Sequence, residues 1–174
     1  MLIKDNNYKV MKLFFDNPDK KFHIREIARR TNLSAPGVLK ILRKLKNEKL
    51  LLSEKGKVVE NVKASRNEKF FLLKKSYNVL SLFESGLIDL LKNKYEEPEA
   101  IVVFGSYSRG EDTSESDIDI AIITKKEIKL DLKRFEKILQ RKINIYEIQI
   151  SECKKEFLNN LINGTIIYGY LKVL

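Results

Sequence analysis

The stretch Ser116-Asp117-Ile118-Asp119-Ile120-Ala121-Ile122-Ile123 constrains this chain more than any other. Isoleucines at alternate positions demand a β-strand with one face buried, because side chains in a strand alternate between its two faces. On that reading Ile118, Ile120 and Ile122 enter a core, and Asp117 and Asp119 share the opposite face, about 7 Å apart along the strand. A chain whose formal net charge is +10 has thus set two carboxylates side by side in an otherwise apolar segment. Like charges so placed repel, and each raises the other's proton affinity unless a cation lies between them.

A hard cation answers that repulsion best. Mg²⁺ takes carboxylate and phosphate oxygens and keeps several waters, so one or two carboxylates and a nucleotide's phosphates complete its shell. Upstream, Gly105 allows close approach of backbone to a phosphate, Ser106 adds a hydroxyl, and Gly110 permits a second bend. Cys153 and His23, alone of their types, make neither a disulfide nor a Cys/His zinc site, so metal ligands here are oxygens.

From Ala100 the pattern runs strand, loop, strand, helix, strand, helix: AIVVF, SDIDIAIIT, LDLKRFEKILQRK, INIYEIQI and SECKKEFLNNLING. Residues 77–98 carry Val79, Leu80, Leu82, Phe83, Leu87, Ile88, Leu90 and Leu91 at helical spacing, and Pro98 ends them. This predicts one connecting helix with an apolar face that needs a partner surface.

The first part of the chain has a different character. Residues 1–76 carry 20 Lys and Arg against 8 Asp and Glu, whereas residues 77–174 carry 14 against 16. A basic half of this kind points to a polyanion. Its apolar spacing predicts a helix through Tyr8, Met11 and Phe15 that ends at Asn17-Pro18, then a short one through Ile24 and Ala28. A third runs through Val38, Ile41, Leu42 and Leu45, with Ser34 as N-cap and Pro36 in its first turn. Leu50 to Glu54 and Glu68 to Leu73 read as two strands of a hairpin, with a basic tip at Lys55-Gly56-Lys57.

IREIARRTNLSAPGVLKILRKLKNEKLL followed by SRNEKFFLL resembles a winged helix-turn-helix. The resemblance implies that the third helix enters the major groove of double-stranded DNA, with Ser34, Lys40, Arg43 and Lys44 at the interface and Lys55, Lys57, Arg66 and Lys69 on phosphates. The plainer reading is a three-helix domain used for dimerisation or protein contact.

Gly105-Ser106, residues 107–116 and then Asp117-Ile118-Asp119 resemble the signature of the minimal nucleotidyltransferases of the DNA polymerase beta-like superfamily. The expected fold class is therefore α+β: a winged helix-turn-helix over 1–76, a connecting helix over 77–98 and a small mixed-sheet nucleotidyltransferase fold over 99–174. The resemblance implies transfer of a nucleoside monophosphate, AMP first, from ATP or another nucleoside triphosphate to a hydroxyl, with two Mg²⁺ ions engaged when nucleotide is bound. Asp117 and Asp119 are the implied catalytic and metal-binding residues, and Gly105, Ser106 and Arg109 the implied nucleotide-binding ones. A partner tyrosine on a HEPN-type toxin, as in antitoxins, is an implied acceptor.

The family's third carboxylate has no counterpart. Asn144, in Ile143-Asn144-Ile145, stands in its place, and an amide oxygen ligates a metal but accepts no proton at neutral pH. The alternative is a DNA-binding transcriptional regulator whose transferase fold only binds nucleotide or a partner protein. A cytoplasmic location, no membrane contact and a homodimer complete the expectations, since the longest apolar runs are a few residues and MLIKDNNYKV lacks the apolar core of a secretory signal.

Overall fold

The computed structural model describes residues 5–55 and 60–172, and it divides into two compact units, Met1–Phe71 and Leu72–Leu174. The boundary falls inside one helix, and each unit is described by itself.

In the first unit, α1 (Asn6–Asp16), α2 (Ile24–Thr31) and α3 (Ala35–Asn47) form where the apolar spacing places helices. Asp5 caps α1 by accepting from Tyr8 N, and Ser34 caps α3 by accepting from Gly37 N. Val10, Phe14, Ile27, Val38, Leu42 and Leu45 are buried, which leaves Lys40, Arg43 and Lys44 on the exposed face of α3.

The sheet of this unit departs from expectation. It has three antiparallel strands, β1 (Lys21–His23), β2 (Leu51–Lys55) and β3 (Glu60–Ala64), in the order β1-β3-β2. The hairpin partner of β2 is β3, not Glu68–Leu73. That latter run opens a helix, α4 (Glu68–Ser85), because the Asn67 side chain accepts from Phe70 N and sends Phe70 into the core against Phe15, 5.3 Å between ring centroids. Lys69 therefore sits on a helix, ion-paired with Glu48, rather than on a wing. Arg66, at φ 53°, precedes the helix and lies over the Phe71 ring. Lys55 ends β2, and Lys57 lies outside the described residues.

The expected single helix over 77–98 is likewise two: α4 and α5 (Leu87–Lys94). Gly86, at φ 79°, turns the chain between them, a backbone state that costs a residue with a Cβ.

The second unit is built on four strands: β4 (Ala100–Phe104), β5 (Ile118–Ile123), β6 (Ile143–Ile148) and β7 (Thr165–Gly169), in the order β6-β5-β4-β7. β4 runs antiparallel to both β5 and β7, with a bulge between Ile101 and Val102, whereas β5 and β6 are parallel. A parallel pair needs a crossover, and α7 (Lys133–Leu139) lies in it. The sheet is mixed, as the nucleotidyltransferase resemblance implied.

Its two faces hold separate cores. Ile101, Val103, Ile118, Ile120, Ile122 and Ile143 pack with Leu82, Leu87, Ile88, Leu91 and Phe135 from the helices. Ala100, Val102, Phe104, Ala121 and Ile123 pack with Leu161 of α8 (Lys155–Ile162). Each fully buried isoleucine contributes about 1.5–3 kcal/mol relative to exposure, so a slip of one residue in β5 would forfeit several such terms at once. That cost fixes which face the aspartates occupy. Among the described residues, no helix is long and apolar enough to cross a membrane.

Candidate active site

β4 ends at Phe104, whose backbone partner across the sheet is Asp119, and the chain then turns sharply into α6 (Gly105–Arg109). Gly105 sits at φ 72°, and a Cβ on it would stand 2.9 Å from Asp119 Oδ2. The position favours glycine on both counts: a Cβ would be strained on the left-handed backbone and would push the Asp119 carboxylate aside. The Ser108 hydroxyl donates to the Gly105 carbonyl, and Gly110, at φ 73°, ends the short helix.

The turn is anchored from below by charge. Asp112, fully buried, accepts from Lys74 Nζ at 2.7 Å and from Asn78 Nδ2 at 2.8 Å, and Arg141 Nη2 approaches it at 3.6 Å. Asn78 Nδ2 also donates to the Tyr107 carbonyl, so one side chain ties α4 to both α6 and the loop after it. A buried carboxylate needs such partners, and here they brace the segment that faces Asp119.

On the other side of β5 the parallel register sets Asn144 directly beside Asp119. Asn144 Nδ2 donates to Asp119 Oδ1 at 3.0 Å and to Asp117 Oδ2 at 3.3 Å, so the two carboxylates converge on one point. Tyr146 Oη, two residues along on the same face, donates to Asp119 Oδ1 at 3.4 Å. Burial, then the nearby Asp119 and Asp117 charges, push the Tyr146 phenol up and keep it protonated. Its ring packs against Phe104 and Phe157.

The structure thus brings together Gly105, Asp117, Asp119 and Asn144, with Ser106 next to Gly105. Arg109 is about half exposed and paired with Glu111 at 2.7 Å. Glu147, an acid on the same strand as Asn144, faces the helical side, where its Oε1 accepts from Tyr95 Oη and Ile128 N, both at 2.6 Å. Burial and then this bond push the Tyr95 phenol up. Glu147 is committed to holding the loop and supplies no third acid.

The donor set suits a hard divalent cation: two carboxylates aimed at a common point now held by an amide N–H group, with a glycine backbone alongside. Turning the Asn144 amide by half a rotation puts its carbonyl oxygen at that point instead. Among the described residues no group of three or more His, Cys, Asp or Glu side chains gathers so as to hold a metal ion, so the two carboxylates here are joined by an amide and not by a third acid.

The family described as Polymerase beta, Nucleotidyltransferase, matches residues 86–171. A protein of Methanocaldococcus jannaschii, provisionally named a protein adenylyltransferase, is 32% identical over 94 residues, which is 52% of this chain and 92% of that relative. The chain belongs to the polymerase beta nucleotidyltransferase family. The match takes in β4 through β7, and with them the glycine turn and both aspartates. Tyr146 and the Lys74–Asp112–Arg141 network are the residues of this region that sequence reasoning missed. Tyr146 had a signal, since it lies two residues from Asn144 and so on the same face of a strand.

Proposed function

We propose that this chain transfers AMP from ATP to a hydroxyl of a partner protein, in a Mg²⁺-dependent reaction, and that its first unit is a winged helix-turn-helix that binds double-stranded DNA. The observation that carries the transferase reading is the convergence of Asp117 and Asp119 on a single point beside the Gly105 backbone. The name of the M. jannaschii relative supports AMP as the group moved and protein as the acceptor.

Asp117, Asp119 and the turned amide of Asn144 would hold the cation. When bound, it neutralises triphosphate charge and polarises the attacking and leaving oxygens. Gly105, without a side chain, leaves room for the triphosphate against the backbone, and Ser106 offers it a hydroxyl. Arg109 exchanges Glu111 for a phosphate when nucleotide arrives, a cheap exchange because an exposed pair is worth only about 0–1 kcal/mol. With an amide at 144, the acceptor's proton leaves to a carboxylate oxygen of Asp117 or Asp119 or to water.

The DNA reading rests on α3, whose exposed face carries Lys40, Arg43 and Lys44 beside the capping Ser34, and on the basic surplus of residues 1–76. A partner toxin of the HEPN type fits a transferase that carries its own DNA-binding unit. Asn144 favours one second reading, a DNA-binding regulator that senses nucleotide without turnover, because the amide offers no seat for the acceptor's proton.

Incubation with ATP labelled at the α-phosphate, Mg²⁺ and cell extract separates the two. The transferase labels a protein band, and Asp117→Asn or Asp119→Asn abolishes the label. A regulator labels nothing with any of the four nucleotides yet binds its own upstream DNA, with a salt slope that drops by about one for each phosphate contact removed.

A further inference from the structure

The Tyr146 hydroxyl donates to Asp119 Oδ1, at the point where the two aspartates meet the Asn144 amide. Its position is fixed rather than casual. The backbone is in β6, in register with Ala121 of β5, and the ring is wedged between Phe104 at 5.4 Å and Phe157 at 6.0 Å. Even so, the side chain remains 39% exposed, so a nucleotide's phosphates can reach its oxygen. Any group-transfer site of this kind must hold an acceptor hydroxyl against its carboxylates, and here the chain's own phenol stands in that place.

Resting on the transferase reading above, we propose that Tyr146 is an internal acceptor: the protein nucleotidylylates itself at this residue. The phenol oxygen forms a bond to the α-phosphorus of a bound nucleoside triphosphate. The bond from that phosphorus to the bridging oxygen of the β-phosphate breaks, and pyrophosphate leaves. The phenol proton passes to Asp119 Oδ1, to which it is already hydrogen-bonded, or to water. No oxidant or further reactant is needed. A hydroxyl held beside the reaction centre by its own strand has the advantage of an intramolecular reactant over one that must diffuse in. The ester formed leaves a nucleotide in the mouth of the site, so self-modification also closes it to other acceptors.

The test uses the full chain with ATP and Mg²⁺, followed by intact mass and peptide mapping. A mass increase of one nucleoside monophosphate, mapped to Tyr146, is the expected result, absent in Tyr146→Phe and retained in Tyr170→Phe, a control at an exposed tyrosine. The first-order rate stays constant when the protein is diluted roughly tenfold, as an intramolecular step requires. Independently of turnover, the ring resonance of Tyr146 in selectively labelled protein shifts when Mg²⁺ and a non-hydrolysable triphosphate are added. Calorimetry with that same analogue keeps the failures apart. Binding without an adduct, an adduct on another residue, a rate that falls with dilution or an unmoved resonance overturns the internal acceptor and leaves the transferase reading standing. No binding at all overturns both.

Discussion

Replacing Asp112 by asparagine removes one negative charge and little volume, and the structure says what that charge holds. Lys74 and Asp112 are 1% and 0% exposed, with Nζ and Oδ2 at 2.7 Å, and the Arg141 side chain, 5% exposed, comes within 3.6 Å of the same oxygen. Asp112→Asn therefore leaves two cations in the interior facing a neutral amide. Removing one partner of a buried pair costs about 3–5 kcal/mol, since the remaining buried charge loses the carboxylate that balanced it. For a unit of this length each 1 kcal/mol moves the melting midpoint by roughly 4 °C or more, so a fall of at least about 12 °C is expected. The comparison is internal: Glu111→Gln breaks Arg109–Glu111, a pair of similar length but 49% and 45% exposed, and should cost at most about 1 kcal/mol. Differential scanning calorimetry of both variants reads the contrast. If Asp112→Asn melts within a few degrees of Glu111→Gln, burial is not what makes this network matter and the reasoning fails.

Three further outcomes follow. Asn144→Asp adds a third carboxylate to the point where Asp117 and Asp119 converge, so it should melt lower than the parent without Mg²⁺ and gain more from Mg²⁺; equal gains contradict the cation site. If the amide also limits turnover for want of a base, transfer rises by about 10²-fold or more. Gly105→Ala places a Cβ 2.9 Å from Asp119 Oδ2 on a left-handed backbone, at roughly 1–2 kcal/mol for the backbone alone, and weakens Mg²⁺-nucleotide binding measured by calorimetry. Glu54 is held down to about 2 by hydrogen bonds from Lys21 and then Lys63, so it stabilises the first unit above its unfolded value of about 4.3 and loses that contribution as pH falls toward 2. An NMR titration of its carboxyl carbon gives the midpoint; one near 4.3 contradicts the pairing.

The parts legible in the sequence were those governed by a single strong period. Ile118, Ile120 and Ile122 fixed β5 and the face of Asp117 and Asp119, and Val38, Leu42 and Leu45 fixed α3 with its cap at Ser34. Where the period is weak, reading failed. Glu60–Ala64 is a strand in which Val62 and Ala64 are buried and pair in register with the buried Phe22 and Leu51 of its neighbours, yet three polar residues in five hide the alternation. Glu68–Leu73 has the composition of a strand, and only the Asn67 cap and the burial of Phe70 make it helical. Gly86 broke the helix expected across it by adopting a left-handed turn. The buried charge network was invisible for another reason: Lys74, Asp112 and Arg141 lie far apart in the chain, and nothing local marks any of them as buried. Asn144 was legible as a departure from the family's acid, and the register shows its role, an amide bridging both aspartates.

Titration of ATP into the protein, once with Mg²⁺ and once with a chelator, is the most direct test of the aspartate pair as the seat of a metal-borne nucleotide. Saturable heat with Mg²⁺, lost on chelation and lost again in Asp119→Asn, is the predicted result. Heat of equal size with and without the metal, or a variant that binds as the parent does, contradicts it.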